Sequence, residues 1–199
     1  MKFSTLFGTA LLAFSVGVTA APQIGQPAPA FTGVDTAGNT HALSDFLGKT
    51  VVLEWTNHDC PYVRKHYNAG NMQAQQRDAT ADGVVWLSVI SSAPGKQGHV
   101  SAAKADELTA SRDAAPTAVL LDESGEIGRA YKARTTPHLF IIDSDGTLAY
   151  MGGIDNVPSA NPADIEKATQ HVPAALAQLM QGQTVDPAIT RPYGCSVKY

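Results

Sequence analysis

Cysteine is scarce in this chain: there are two, Cys60 and Cys195, among 199 residues. They stand too far apart to close a short loop, and a chain of this length builds a full core without disulfide staples. Long apolar runs are equally scarce. Beyond residue 20 no segment reaches the ~20 apolar residues that span a bilayer. Positive charge is in deficit, with 14 Lys and Arg against 18 Asp and Glu. That excess of acid argues against nucleic acid or an anionic membrane as a partner. There is no internal repeat and no low-complexity tract. The loop SSAPGKQGH contains Gly and Lys yet matches no phosphate-loop spacing, so it reads as a surface loop.

The N-terminus holds the one exception. MKFSTLFGTALLAFSVGVTA carries Lys2 as its single charge, an apolar stretch from Leu6 to Val18, and small residues Val18 and Ala20 at the −3 and −1 positions. This pattern predicts a cleavable signal peptide over 1–20. The run is too short and too rich in Ser, Thr and Gly to serve as an anchor. The mature chain then carries 13 basic and 18 acidic side chains, a net charge of −5. Export predicts a secreted or periplasmic protein with no membrane contact after cleavage, in a compartment where a disulfide persists.

The remainder reads as one domain over 21–185 and a polar tail over 186–199. The domain opens with Pro-rich extended chain, then two short strands about the TAGN turn. Val51–Trp55 and Val84–Ile90 read as buried strands. A helix is predicted from about Tyr62 to Ala79, partly exposed at Met72, Gln75 and Gln76. Ser101–Arg112 reads as a helix, Ala118–Leu121 as a strand and Ile127–Lys132 as a short helix. TTPHLFIIDSDGTLAYMGG reads as a hairpin about Asp145–Gly146. A closing helix starts with Asn161 as cap and Pro162 in its first turn, is kinked or interrupted by Pro173, and has Ile165, Val172, Leu176, Leu179 and Met180 as its apolar stripe. The order predicts a three-layer α/β/α sandwich on a mixed central sheet.

The chemistry concentrates at Cys60. It lies at a strand-to-helix junction, where α/β sheets place reactive groups. A helix N-terminus favours the thiolate, which is the nucleophile. Pro61 suits the first helical turn. A protonated His58 favours the thiolate and Asp59 opposes it, so the sequence leaves the sign of the shift open. Lys65 and His66, further along the helix, read as solvated residues, with tuning of the thiol as their alternative. Thr136–Pro137 precedes a β-run, which makes Pro137 a candidate cis-proline. A cis bond there turns the Thr136 backbone toward the sulfur, where an extended substrate can pair with it.

IGQPAPAFTGVDTAGNTHALSDFLGKTVVLEW, then CPYV, then TTPHLFIIDSDGTLAYMGG together resemble the thioredoxin superfamily, and within it the alkyl hydroperoxide reductase/thiol-specific antioxidant (redoxin) families, in a peroxiredoxin-like subgroup. The resemblance spans about Ile24–Asp155. It implies a thioredoxin-like fold with Cys60 as reactive thiol and Pro137 as active-site cis-proline. The departures are specific. Val63 and Asn57 stand where a Cys-x-x-Cys motif would put the second cysteine on either side. Leu53 and Asn57 replace the Pro and Thr/Ser with which peroxiredoxins position peroxide, and Arg134 is the nearest stand-in for their arginine.

Cys195 is the remaining thiol. A mobile tail can carry it to Cys60 as a resolving thiol. Alternatively, a permanent Cys60–Cys195 bond would staple the tail, worth up to ~5 kcal/mol. Three functions follow. One is an exported oxidoreductase acting on a protein disulfide or peroxide, with an external thiol reductant and no bound cofactor. Another is copper binding through His58, Cys60 and His66. The third is a redox-inert binding module, which a fully buried, unreactive Cys60 would favour. The sequence does not fix the oligomeric state.

Overall fold

The computed structural model describes residues 21–199, so the expected signal peptide lies outside the described residues. Strands β1 (Thr32–Val34) and β2 (Thr40–Ala42) form the expected first hairpin. Asp35 holds its turn, accepting the N–H groups of Ala37 and Asn39 and the side chains of Asn39 and His41.

β3 (Val51–Trp55) is buried along its whole length. Its unbroken run VVLEW suits a central strand covered on both faces. The chain then enters α1 (Pro61–Asn68) and α2 (Asn71–Ala81). These are two helices, not the one predicted. Gly70, at φ +73°, makes the left-handed turn between them. Met72 and Gln76 are fully buried and Gln75 nearly so, which corrects the expected exposure. The amides are buried because tertiary partners meet them: Gln76 bonds Glu54 and Gln75 bonds Gln170.

β4 (Val85–Ile90), α3 (Ala102–Ser111), β5 (Ala118–Leu121) and α4 (Glu126–Ala130) follow close to expectation. Ser101 caps α3 by accepting the Lys104 N–H. β6 (Thr135–Thr136) is a short strand before Pro137. β7 (His138–Ile142) and β8 (Leu148–Gly152) form the second hairpin.

The closing helix departs from prediction. Pro162–Lys167 is a 3₁₀ segment, and α5 (His171–Met180) begins after a break. Pro173 falls in the first turn of α5, where its missing N–H costs nothing. The interruption therefore lies upstream of it. Of the predicted stripe, Val172 and Leu176 are buried and Met180 is exposed. β9 (Cys195–Ser196) ends the elements.

The five-stranded sheet runs β5–β4–β3–β7–β8. β3 pairs parallel with β4 and antiparallel with β7, so the sheet is mixed as expected. One face packs Val52, Trp86 and Ile141 against α1, α2 and α5. The other packs Leu53, Trp55 and Phe140 against Phe31, Ile127 and Tyr131. Each fully buried side chain of this size contributes ~1.5–3 kcal/mol. This is the three-layer thioredoxin-like architecture, and it brings the C-terminal end of β3, the start of α1 and β6 to one place.

Candidate functional site

β3 ends at Trp55, and five residues later Cys60 caps α1, with Pro61 at its first position. The cysteine N–H donates to Asn57 O at 3.0 Å. Its thiol donates to Thr136 O at 3.0 Å across 76 positions of sequence. The Thr136–Pro137 peptide is cis. Cys60, Thr136 and Pro137 thus lie together.

The tail completes the site. β9 pairs antiparallel with β6, Cys195 opposite Thr136 and Ser196 opposite Thr135. Val197 N–H continues the ladder to Arg134 O at 3.1 Å. Lys198 O accepts Ala93 N–H at 2.9 Å, and Tyr199 Oη donates to Ala133 O at 2.8 Å. The expected mobile tail is a docked strap, because its backbone groups find partners on two loops and a strand. Gly194 permits the approach. It sits at φ +135°, and a Cβ there would lie 2.0 Å from Thr136 O.

Docking covers Cys60 completely, at 0% exposure. The cover is mixed: Cys60 belongs to the apolar cluster that includes Val63, and its thiol meets the Thr136 carbonyl. Burial alone raises the thiol's pKa, but polar neighbours that favour the thiolate act against it. They are the Cys195 thiol, the Thr136 side chain and the N–H groups of Val63 and Cys195, and the balance lies below the ordinary thiol value. Thr136 Oγ1 is buried with no hydrogen-bond partner among the described residues, so its hydroxyl is available when the sulfur ionises. Cys195 moves the other way. Burial, then the neighbouring Cys60 thiol and the charge there, raise its pKa to about 11. The surroundings thus shift the two thiols in opposite directions, Cys60 down and Cys195 up. Both are reduced in this structure.

His58 is differently placed. Its ring meets Asp59 at 3.4 Å, its carbonyl accepts from Arg112, and it makes no hydrogen bond to the sulfur among the described residues. Burial, followed by the nearby Arg112 and Lys104 and opposed by Asp59, lowers its pKa. Lys65 and His66 are not solvated as expected: both are buried with Asp155 and the tail residue Tyr193. Burial pushes His66 down to about 4, against the charge of Asp155 and with that of Lys65. His66 therefore faces Tyr193 and Asn71, and His58, Cys60 and His66 do not converge on one point. No cluster of three metal-ligating side chains occurs among the described residues.

Sequence reasoning missed Asp155, Tyr193 and Glu54. Glu54 lies inside β3, fully buried, accepting from Tyr67, Gln76, Trp86 and Ser88. Burial raises its pKa despite those bonds. A lone acid within an apolar strand was the available signal. Tyr193 stands two residues before Cys195, which was the signal for the tail.

Comparison with known proteins agrees with this geometry. The model of the AhpC/TSA family matches residues 24–151. No curated protein matches. Among solved structures, an uncharacterized conserved protein from Geobacillus kaustophilus is 25% identical, with 89% of this chain and 92% of that one covered, at a TM-score of 0.72. A hypothetical protein from Sinorhizobium meliloti is 20% identical, with 90% and 96% covered, also at 0.72. A candidate thiol:disulfide interchange protein, DsbE, from Chlorobium tepidum is 24% identical, with 66% and 85% covered, at 0.53. These likenesses establish the thioredoxin-like fold.

Proposed function

The chain belongs to the AhpC/TSA family, and on that premise we propose that it is an exported thiol–disulfide oxidoreductase with Cys60 as nucleophile and Cys195 as resolving thiol. One observation carries the reading: Cys195 is paired opposite Thr136, whose carbonyl accepts the Cys60 thiol at 3.0 Å, so the tail brings the second thiol to the first.

The Cys60 thiolate attacks one sulfur of a substrate disulfide. The S–S bond breaks, a mixed disulfide forms, and the first substrate sulfur leaves as a thiolate that takes a proton. Cys195, losing its proton, then attacks the Cys60 sulfur and expels the second substrate thiol. Substrate gains two electrons and two protons, and the enzyme ends as the Cys60–Cys195 disulfide. An external thiol reductant restores both thiols. The positions at which peroxiredoxins hold peroxide are Leu53 and Asn57 here, which favours a disulfide over a peroxide as substrate. The predicted signal peptide supports a secreted or periplasmic location, where such substrates occur.

The test is trapping. Reduced protein is mixed with a disulfide-bonded peptide or with hydrogen peroxide, quenched in acid and mapped by mass spectrometry. Wild type should yield the Cys60–Cys195 bond with the peptide. Cys195→Ser should accumulate a mixed disulfide at Cys60, and Cys60→Ser none. A Cys60→Ser variant that reduces the peptide as fast as wild type refutes the assignment. Oxidation by peroxide alone would replace disulfide by peroxide as the substrate.

A further inference from the structure

The strap is held by a buried polar knot that the exchange chemistry does not itself require. Lys65 Nζ, with no exposure, donates to Asp155 Oδ2 at 3.2 Å, Val157 O at 3.1 Å and Tyr193 Oη at 3.3 Å. Its three protons have three acceptors. Asn71 Nδ2 donates to His66 Nδ1 at 2.8 Å, which leaves the ring proton on Nε2, 3.2 Å from Tyr193 Oη. Tyr193 Oη in turn donates to Asp155 Oδ1. The phenol thus accepts two bonds and gives one, the full complement of a hydroxyl. The Tyr193 ring also packs edge-on against Tyr62, with centroids 5.8 Å apart.

The spacing is what gives this knot a consequence. Lys65 and His66 lie on the helix that Cys60 caps. At 1.5 Å per residue they stand ~8–9 Å along α1 from the nucleophile. Tyr193 precedes Cys195 by two residues, a span of at most ~7 Å. The two spans nearly match. Gripping Tyr193 beside Lys65 therefore lays Cys195 beside Cys60. The same strap pairs with Thr136, the edge on which an extended substrate would lie. A buried ion pair is weak evidence of stability, since well-packed apolar side chains often do as well. Its retention where the tail's register is decided suits a specifying role.

We propose that Lys65, His66 and Asp155 are positioning residues that clamp the Tyr193 hydroxyl, and that this clamp sets how Cys60 divides its reactions between Cys195 and an external disulfide. The inference rests on the exchange reaction proposed above for the meaning of that division. The clamp itself is a statement about the tail. With the clamp closed, Cys195 is delivered to the nucleophile and the substrate edge is occupied. With it open, Cys60 and the Thr136 edge are free.

Tyr193→Phe deletes the hydroxyl and keeps the ring. Two readouts should move in opposite directions. The equilibrium constant for forming the Cys60–Cys195 bond, measured in glutathione buffers, should fall about tenfold, the weight of a hydrogen bond to a charged group. Labelling of Cys60 by iodoacetamide in the reduced protein should rise about tenfold. A third readout needs no thiol. In a Cys60→Ser background, hydrogen-exchange protection of the Val197 amide should drop by a similar factor in Tyr193→Phe. Should Tyr193→Phe fail to fold, His66→Gln carries the same measurements. Unchanged Val197 protection together with an unchanged glutathione constant overturns the clamp. If protection drops while wild type never forms the Cys60–Cys195 bond, the clamp stands and the exchange reaction falls.

Discussion

Gly194→Ala tests whether the strap is what hides the nucleophile. The new Cβ would lie 2.0 Å from Thr136 O and 2.8 Å from Thr136 C, and these are backbone atoms of β6 that cannot swing aside. The φ of +135° is also strained for alanine. The tail must lift. Three bonds beyond Gly194 then open: Val197 N–H to Arg134 O, Ala93 N–H to Lys198 O, and Tyr199 Oη to Ala133 O. At a net ~1 kcal/mol each, their loss is ~3 kcal/mol. In the native protein the same sum opposes opening, which slows attack on Cys60 by about a hundredfold at ~1.4 kcal/mol per decade. The assay is timed iodoacetamide labelling of the reduced protein, read at Cys60 by mass spectrometry. Labelling should quicken by between tenfold and a hundredfold. Urea unfolding should show a loss no greater than ~3 kcal/mol, the sum of those three bonds. A change in Cys60 labelling of less than twofold would refute the account of the strap as its cover.

Other expectations follow from the same contacts. Site-resolved labelling against pH should place the Cys60 midpoint below that of an ordinary thiol and that of Cys195 near about 11. Because the charged form of Cys60 is the favoured one, its reactivity should persist as pH falls below the free-thiol value; a Cys60 midpoint above that of Cys195 would reverse the assigned roles. Lys65→Met strands the buried carboxylate of Asp155 and should cost ~3–5 kcal/mol in urea unfolding. Adding Asp155→Leu should recover part of that loss, and a single variant as stable as wild type would show the pair to be solvated. Met72→Ala should cost ~2–5 kcal/mol, because Met72 is fully buried. Met180→Ala should cost less than ~0.5 kcal/mol, with its side chain 63% exposed; equal losses would contradict the packing of α2.

Local chemistry in the sequence determined much of this protein. The run VVLEW became the central strand because an unbroken apolar segment has to be covered on both faces. Asp145–Gly146 became the hairpin turn. Pro61 opened α1 with Cys60 as its cap. Thr136–Pro137 took a cis bond beside the sulfur. Each of these depends on a few neighbouring residues whose geometry has few alternatives.

Tertiary structure alone decided the rest. Composition cannot tell a solvated Lys65 or Gln76 from a buried one, because the partners Asp155, Tyr193 and Glu54 lie 90, 128 and 22 positions away. The tail looked mobile because it is polar and holds a glycine. That glycine is what lets its backbone close on Thr136 and become a strand. A polar group is cheap to bury only when a partner waits at the right distance. The chain does not reveal where its partners wait until it has folded.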